Sequence, residues 1–291
     1  MKGPVLLASN HPNSFLDSVV LDTLFKQPVW SLARGDAFKK PFYIKLLNAL
    51  KILPVYRTSE GVENLSENYK TFEDCIKIFK NKGVICIFSE GKCINEWHLR
   101  PLKKGTARLA IKAWEENIPL DVLPVGINYS SFQRFGKTIF LNFGEIIRKE
   151  DINLNDPDGL RHQSFNHKLK HQLEQLVFEI PEHDKKKLAK VFQANVPLLK
   201  KILLSIPAVI GFIAHLPLFL PAKFFTREKT SDTDHYDSVL TAILLLTYPL
   251  YIILVAAISY IITKNWYAGS LLIILPFTAG ACVQLKSQLD K

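Results

Sequence analysis

Two uncharged runs near the C-terminus constrain this chain most: 24 residues from Val239 to Ile262 and 20 from Trp266 to Leu285, joined only by Thr263-Lys264-Asn265. A bilayer core of ~30 Å is spanned by ~20 apolar residues in a helix. Backbone polar groups in hydrocarbon must pair within the segment, so both runs are predicted to be helices. The three-residue link makes them an antiparallel transmembrane hairpin. Tyr248, Tyr251, Tyr260, Trp266 and Tyr267 supply amphipathic aromatics, several of them near the hairpin turn. A preceding apolar stretch, residues 202–220, holds His215, Pro207 and Pro217, with Pro221 just beyond. Its prolines and the flanking Lys200, Lys201 and Lys223 suit an interfacial or re-entrant helix. In that arrangement Arg227, Lys229, Lys286 and Lys291 remain on one side with the rest of the chain, following the positive-inside tendency.

The first 195 residues read differently. Short apolar runs at 5–8, 29–32, 52–55, 84–88, 120–125 and 138–143 are spaced by amphipathic segments at 15–25, 41–50, 66–81 and 106–117. A further polar helix is expected over 160–179. Such alternation predicts an α/β fold, a mostly parallel sheet flanked by helices as an αβα sandwich. The chain therefore divides into a domain at 1–195 and a membrane region at 196–291. The first holds 29 Lys and Arg against 22 Asp and Glu, and so most of the net charge of +10. A basic domain favours anionic partners. Two membrane runs and the lack of any recognition motif argue against nucleic acid. Cys75, Cys86, Cys93 and Cys282 show no metal-type spacing and read as reduced thiols.

Ligands of open α/β sheets bind beyond the carboxyl ends of the strands. The first apolar run ends in Ser9-Asn10-His11-Pro12-Asn13-Ser14-Phe15-Leu16-Asp17. A carboxylate can fix the tautomer of an imidazole and stabilise its charged form. On one helix, six residues turn two side chains by ~240° net, onto different faces. His11 and Asp17 can meet only if His11 lies in the turn before a helix that carries Asp17. Pro12 fits such a turn, and Asn10, Asn13 and Ser14 are capping-type residues. Other strand ends deliver more polar groups. Arg57 follows "ILPVY", Ser89-Glu90-Gly91 follows "VICIF", and Arg100, Lys103, Lys104 and Arg108 come next. Gly105-Thr106 opens a helix whose N-terminus is an anion site. Pro124 and Gly126 lie at a further strand end, "VLPVGINY".

Four blocks in order, "NHPNSFLD", "PVYR", "FSEG" and "LPVGI", resemble the phospholipid/glycerol acyltransferase family over roughly residues 4–150. Five residues separate His11 from Asp17, where four is the commoner family spacing, and Ser89 stands where the third block usually has proline. The longer spacing is similar to a glycerol-3-phosphate acyltransferase branch that also tends to have a C-terminal membrane region.

The resemblance implies that His11 is the general base on an acceptor hydroxyl and that Asp17 orients it. It implies that Arg57 binds the acceptor phosphate, that Glu90 and Gly91 line the acceptor site, and that Pro124 shapes the acyl pocket. Arg100, Lys103 and Lys104 join the expected substrate-binding set. The expected reaction moves a fatty acyl group from an acyl thioester, of coenzyme A or acyl carrier protein, to glycerol 3-phosphate or its 1-acyl form. No metal or other cofactor is expected. The bilayer and an acyl thioester donor, acyl carrier protein among the candidates, are the expected partners, with the catalytic domain of a multi-pass protein on the cytoplasmic side. Two alternatives are a different acceptor lipid and a non-enzymatic lipid-binding module on a membrane anchor.

Overall fold

A computed structural model describes residues 3–56, 65–181, 183–192, 196–231 and 233–285; the side chains of residues 65–67 are outside the description. The chain separates into two compact units. One comprises residues 1–128 and 140–181, the other residues 129–139 and 182–291.

The first unit is built on a six-stranded sheet: β1 (Val5–Ser9), β2 (Val29–Arg34), β3 (Ile52–Val55), β4 (Val84–Phe88), β5 (Asp121–Tyr129) and β6 (Ile139–Phe143). The strand order is β3-β2-β4-β1-β5-β6. β1 runs parallel to both neighbours, with Ser9 opposite Phe88 on one side and Val125 on the other. The β3–β2 and β2–β4 pairs are also parallel. Only β6 turns back, as the bond from Gly144 N–H to Pro124 O and the antiparallel bridge Val122–Ile147 require. The sheet is thus mostly parallel and flanked by helices, as the alternation in the sequence predicts.

All five residues of β1 are buried. That accounts for its unbroken apolar run, since a parallel strand is covered on both faces. One face packs against α3 (Leu65–Lys80), α4 (Gly105–Glu115) and α5 (Asp158–Leu176), with Leu6, Ala8, Ile85, Ile87 and Val122 meeting Phe79, Leu109, Ala110 and Trp114. α5 contributes Phe165, Leu169 and Leu173, spaced to fall on one helical face. Trp114 is fully buried and its indole N–H donates to Leu120 O at 3.0 Å. The other helices are α1 (Phe15–Asp22), which buries Asp17 and Leu21, and α2 (Pro41–Ala49), which buries nothing.

The second unit contains a short helix α6 (Lys185–Val191) and then α7 (Leu198–Thr230), α8 (Tyr236–Thr263) and α9 (Leu271–Leu285). Among the described residues three helical segments are long and apolar enough to cross a membrane: Leu198–Thr230, Tyr236–Thr263 and Trp266–Leu285. α7 is one continuous helix of 33 residues that runs through all three prolines, well beyond the stretch 202–220. Tyr251 Oη donates to Ala214 O at 2.5 Å, and His215 Nδ1 lies 2.6 Å from Gly211 O. Both groups place polar side-chain contacts in the turn before Pro217. Gly211 lets α7 approach α9 closely, because a Cβ there would sit 2.1 Å from Thr278 O. Residues 129–139 belong to this unit: Lys137 pairs with Asp237, both buried.

Candidate active site

The register of β1 against β4 sets the geometry. Two residues past the Ser9–Phe88 pair, His11 meets Glu90. The His11 backbone N–H donates to Glu90 Oε2 at 2.8 Å, which ties the turn after β1 to the turn after β4. Asn95 Nδ2 also donates to Pro12 O at 2.7 Å, and Ile94 N–H to His11 O at 3.3 Å. On the opposite side Asn10 bridges to β5. Its amide nitrogen donates to Ile127 O at 2.9 Å and its oxygen accepts from Ile127 N–H at 2.8 Å. Asn10 therefore prolongs the β1–β5 ladder by one side chain rather than capping a helix.

His11 and Asp17 come together as the turn-then-helix geometry predicts. His11 Nδ1 lies 2.8 Å from Asp17 Oδ2; the Asp17 side chain is fully buried and His11 is 18% exposed. Asp17 is the third residue of α1, and the same Oδ2 accepts from Asn13 N–H at 2.9 Å. The helix start is thus closed by its own first-turn carboxylate. Ser14 stands at the N-cap with φ 53° and its side chain makes no capping bond. A carboxylate that accepts a hydrogen bond from Nδ1–H favours the tautomer whose Nε2 is unprotonated and able to accept a proton. The ring plane is fixed by Phe88, whose ring stacks on His11 at 4.0 Å and 6°. The Asp17 charge also raises the thiol of Cys86, second to the effect of that residue's complete burial.

Glu90 is a hub. Besides His11 N–H, it accepts from Arg100 N–H at 2.8 Å through Oε1 and from Arg100 Nη2 at 3.1 Å through Oε2. The Arg100 side chain is 15% exposed and also meets Glu96 at 3.2 Å and the Lys92 carbonyl. Its guanidinium is thus engaged with protein groups. Gly91 has φ +70°, and a Cβ there would lie 2.9 Å from Lys103 Cγ, so the turn demands glycine on both counts. Ser89 Oγ pairs with Thr106 Oγ1 at 2.9 Å, both buried, and Lys103 N–H donates to Ser89 O at 2.7 Å. Lys103, Lys104 and Arg108 are exposed beside the start of α4. Pro124 sits inside β5 opposite Ala8, three residues short of His11 along β1. Arg57 lies outside the described residues.

Sequence reasoning did not single out Phe88 as a platform, or Asn10 as a strand clamp. Phe88 was legible only as the last residue of an apolar strand. Its closeness to His11 follows from the β1–β4 register, which no local pattern in the sequence sets.

A base at a strand end, oriented by a buried carboxylate, suits transfer of a group to a hydroxyl. A family model described as Acyltransferase matches residues 1–128. No curated protein matches the chain. The match covers β1 to β5 and every element that positions His11 and Asp17, and it supports an acyltransferase.

Proposed function

We propose that residues 1–195 form a membrane-bound glycerolipid O-acyltransferase whose catalytic pair is His11 and Asp17. The observation that carries this reading is the 2.8 Å contact between His11 Nδ1 and the buried Asp17 carboxylate at the end of the central strand. His11 Nε2 takes the proton of an acceptor hydroxyl as its oxygen attacks the carbonyl carbon of an acyl thioester. The C–O bond forms, the tetrahedral intermediate collapses with loss of the C–S bond, and His11 returns the proton to the leaving thiolate. Asp17 stabilises the imidazolium between the two transfers. Main-chain N–H groups near the strand ends are suited to stabilise the oxyanion.

The acceptor we propose is glycerol 3-phosphate or its 1-acyl form, with phosphate held by Arg57 and the exposed Lys103 and Lys104. Supporting this are the basic character of the domain and the cations beside the N-terminus of α4. The donor is a thioester of coenzyme A or acyl carrier protein, and the catalytic unit faces the cytoplasm, where such donors are soluble. The chain's own apolar helices suit an enzyme whose acyl product belongs in a bilayer.

The test is acyl transfer by the purified full chain in lipid, wild type against His11→Ala, with each acceptor and each donor class. Product with one acceptor, lost in a folded His11→Ala protein, is the expected result. Equal turnover in His11→Ala would overturn the mechanism. Equal use of a non-phosphorylated acceptor would overturn the assignment of the acceptor.

A further inference from the structure

α2 is unlike the other helices of the catalytic unit. None of its residues is buried. Phe42 and Leu46, with Leu50 at the C-cap, recur every four residues and form one stripe, with relative exposures of 71%, 43% and 50%; Ile44 is also exposed. Tyr43 lies beside the stripe and is also exposed. A water-facing helix of a soluble domain is expected to turn polar side chains outward, so an apolar stripe of this kind marks a contact surface.

The charges around it narrow the occupant. Lys39 and Lys40 precede the helix, Lys45 lies on its flank and Lys51 follows it, and residues 39–51 contain no acidic group. Lys39, Lys40 and Lys45 are exposed, while Lys51 lies over the Trp30 ring at 5.0 Å. An apolar stripe edged by lysines matches the boundary of a bilayer, with aromatic and leucine side chains among the acyl chains and ammonium groups at the headgroups. The covalent link to helices able to span a membrane raises the local concentration of such a surface.

We propose that α2 is an interfacial helix that docks on an anionic bilayer surface through Phe42, Leu46 and Leu50, with Lys39, Lys40 and Lys45 engaging acidic headgroups. This docking does not depend on the chemistry at His11.

The experiment uses the full chain in nanodiscs, made of phosphatidylcholine alone or mixed with phosphatidylglycerol. Cys282→Ser leaves only buried thiols, and Leu46→Cys then takes a polarity-sensitive nitrobenzoxadiazole label. Tyr69→Cys on α3, also highly exposed, is the aqueous control. The expected result is a blue-shifted label at position 46 that is quenched by doxyl lipids, more strongly in anionic discs, while position 69 stays aqueous. At about fivefold per lysine, Lys39→Gln with Lys40→Gln and Lys45→Gln lowers the docked-to-free ratio on anionic discs by about a hundredfold. Phe42→Cys repeats the measurement if Leu46→Cys does not fold. A label that remains aqueous at both positions in anionic discs would overturn the proposal. So would a blue shift that follows the number of chains per disc rather than lipid charge, which would assign the stripe to a second copy.

Discussion

Replacing Glu90 with glutamine separates a positioning role from a substrate contact. The carboxylate accepts three bonds: His11 N–H and Arg100 Nη2 on Oε2, and Arg100 N–H on Oε1. A carboxamide keeps one oxygen. Placed where Oε2 was, it turns its NH2 toward Arg100 N–H, donor against donor; the other rotamer opposes His11 N–H instead. One unmade buried bond costs about 1–3 kcal/mol. The mostly buried Arg100 guanidinium also loses its buried partner, a loss of about 3–5 kcal/mol when nothing replaces it. Glu96 and the Lys92 carbonyl remain, so a total of about 3–5 kcal/mol is expected. For a unit of this size that is a fall in Tm of roughly 6–20 °C. In the folded fraction, misplacement of the His11 turn by ~1 Å lowers kcat about a hundredfold. KM for the acceptor changes little. The assay is thermal melting, with steady-state kinetics well below the variant's Tm. A cycle with Arg100→Gln should show coupling of about 1–3 kcal/mol. Unchanged Tm and kcat with a raised acceptor KM would refute the reasoning and make Glu90 a substrate contact.

Asn10→Ala leaves the N–H and C=O of buried Ile127 without their partner, so the denaturant midpoint should correspond to about 2–4 kcal/mol less stability; an unchanged midpoint would show that the clamp is dispensable. Burial, reinforced by the neighbouring Asp74, pushes the Cys75 thiol up to about 12, and Cys86 is raised further by its complete burial. The unfolded thiols ionise near pH 9 while the folded ones do not, so their contribution is fully present below pH 9 and is lost as pH rises toward 12. Urea melts at pH 8 and pH 10 should show this loss in the wild type and less of it in Cys75→Ala with Cys86→Ala; parallel losses would contradict the assignment.

Much of the sheet was legible because buried parallel strands are written as continuous apolar runs. The segments 52–55 and 84–88 have the bounds of β3 and β4. Helix geometry set the condition for His11 to meet Asp17, a turn before α1, and the resemblance supplied the expectation that they pair. Arg100 was harder to place. Its charge marks it as anion-seeking, but its closest anion is Glu90, ten residues earlier, and only the folded turn shows that the two are paired. α7 shows the limit of proline as punctuation. In water Pro207, Pro217 and Pro221 would argue against an unbroken helix, yet α7 continues through all three, packed against α8 and α9.

The central place of β1 has a consequence in time. Ser9 is paired with both Phe88 and Val125, and Asn10 reaches Ile127, 117 residues along the chain. β1 therefore leaves the ribosome well before either strand that will hold it. Synthesis through β5 supplies the last strand that brackets His11, and α7 begins only at Leu198. The base and its carboxylate can thus be set in place while the spanning helices are still unmade, with residues 129–139 waiting longest. The Lys137–Asp237 pair can close only once about a hundred further residues have been made and Asp237 exists.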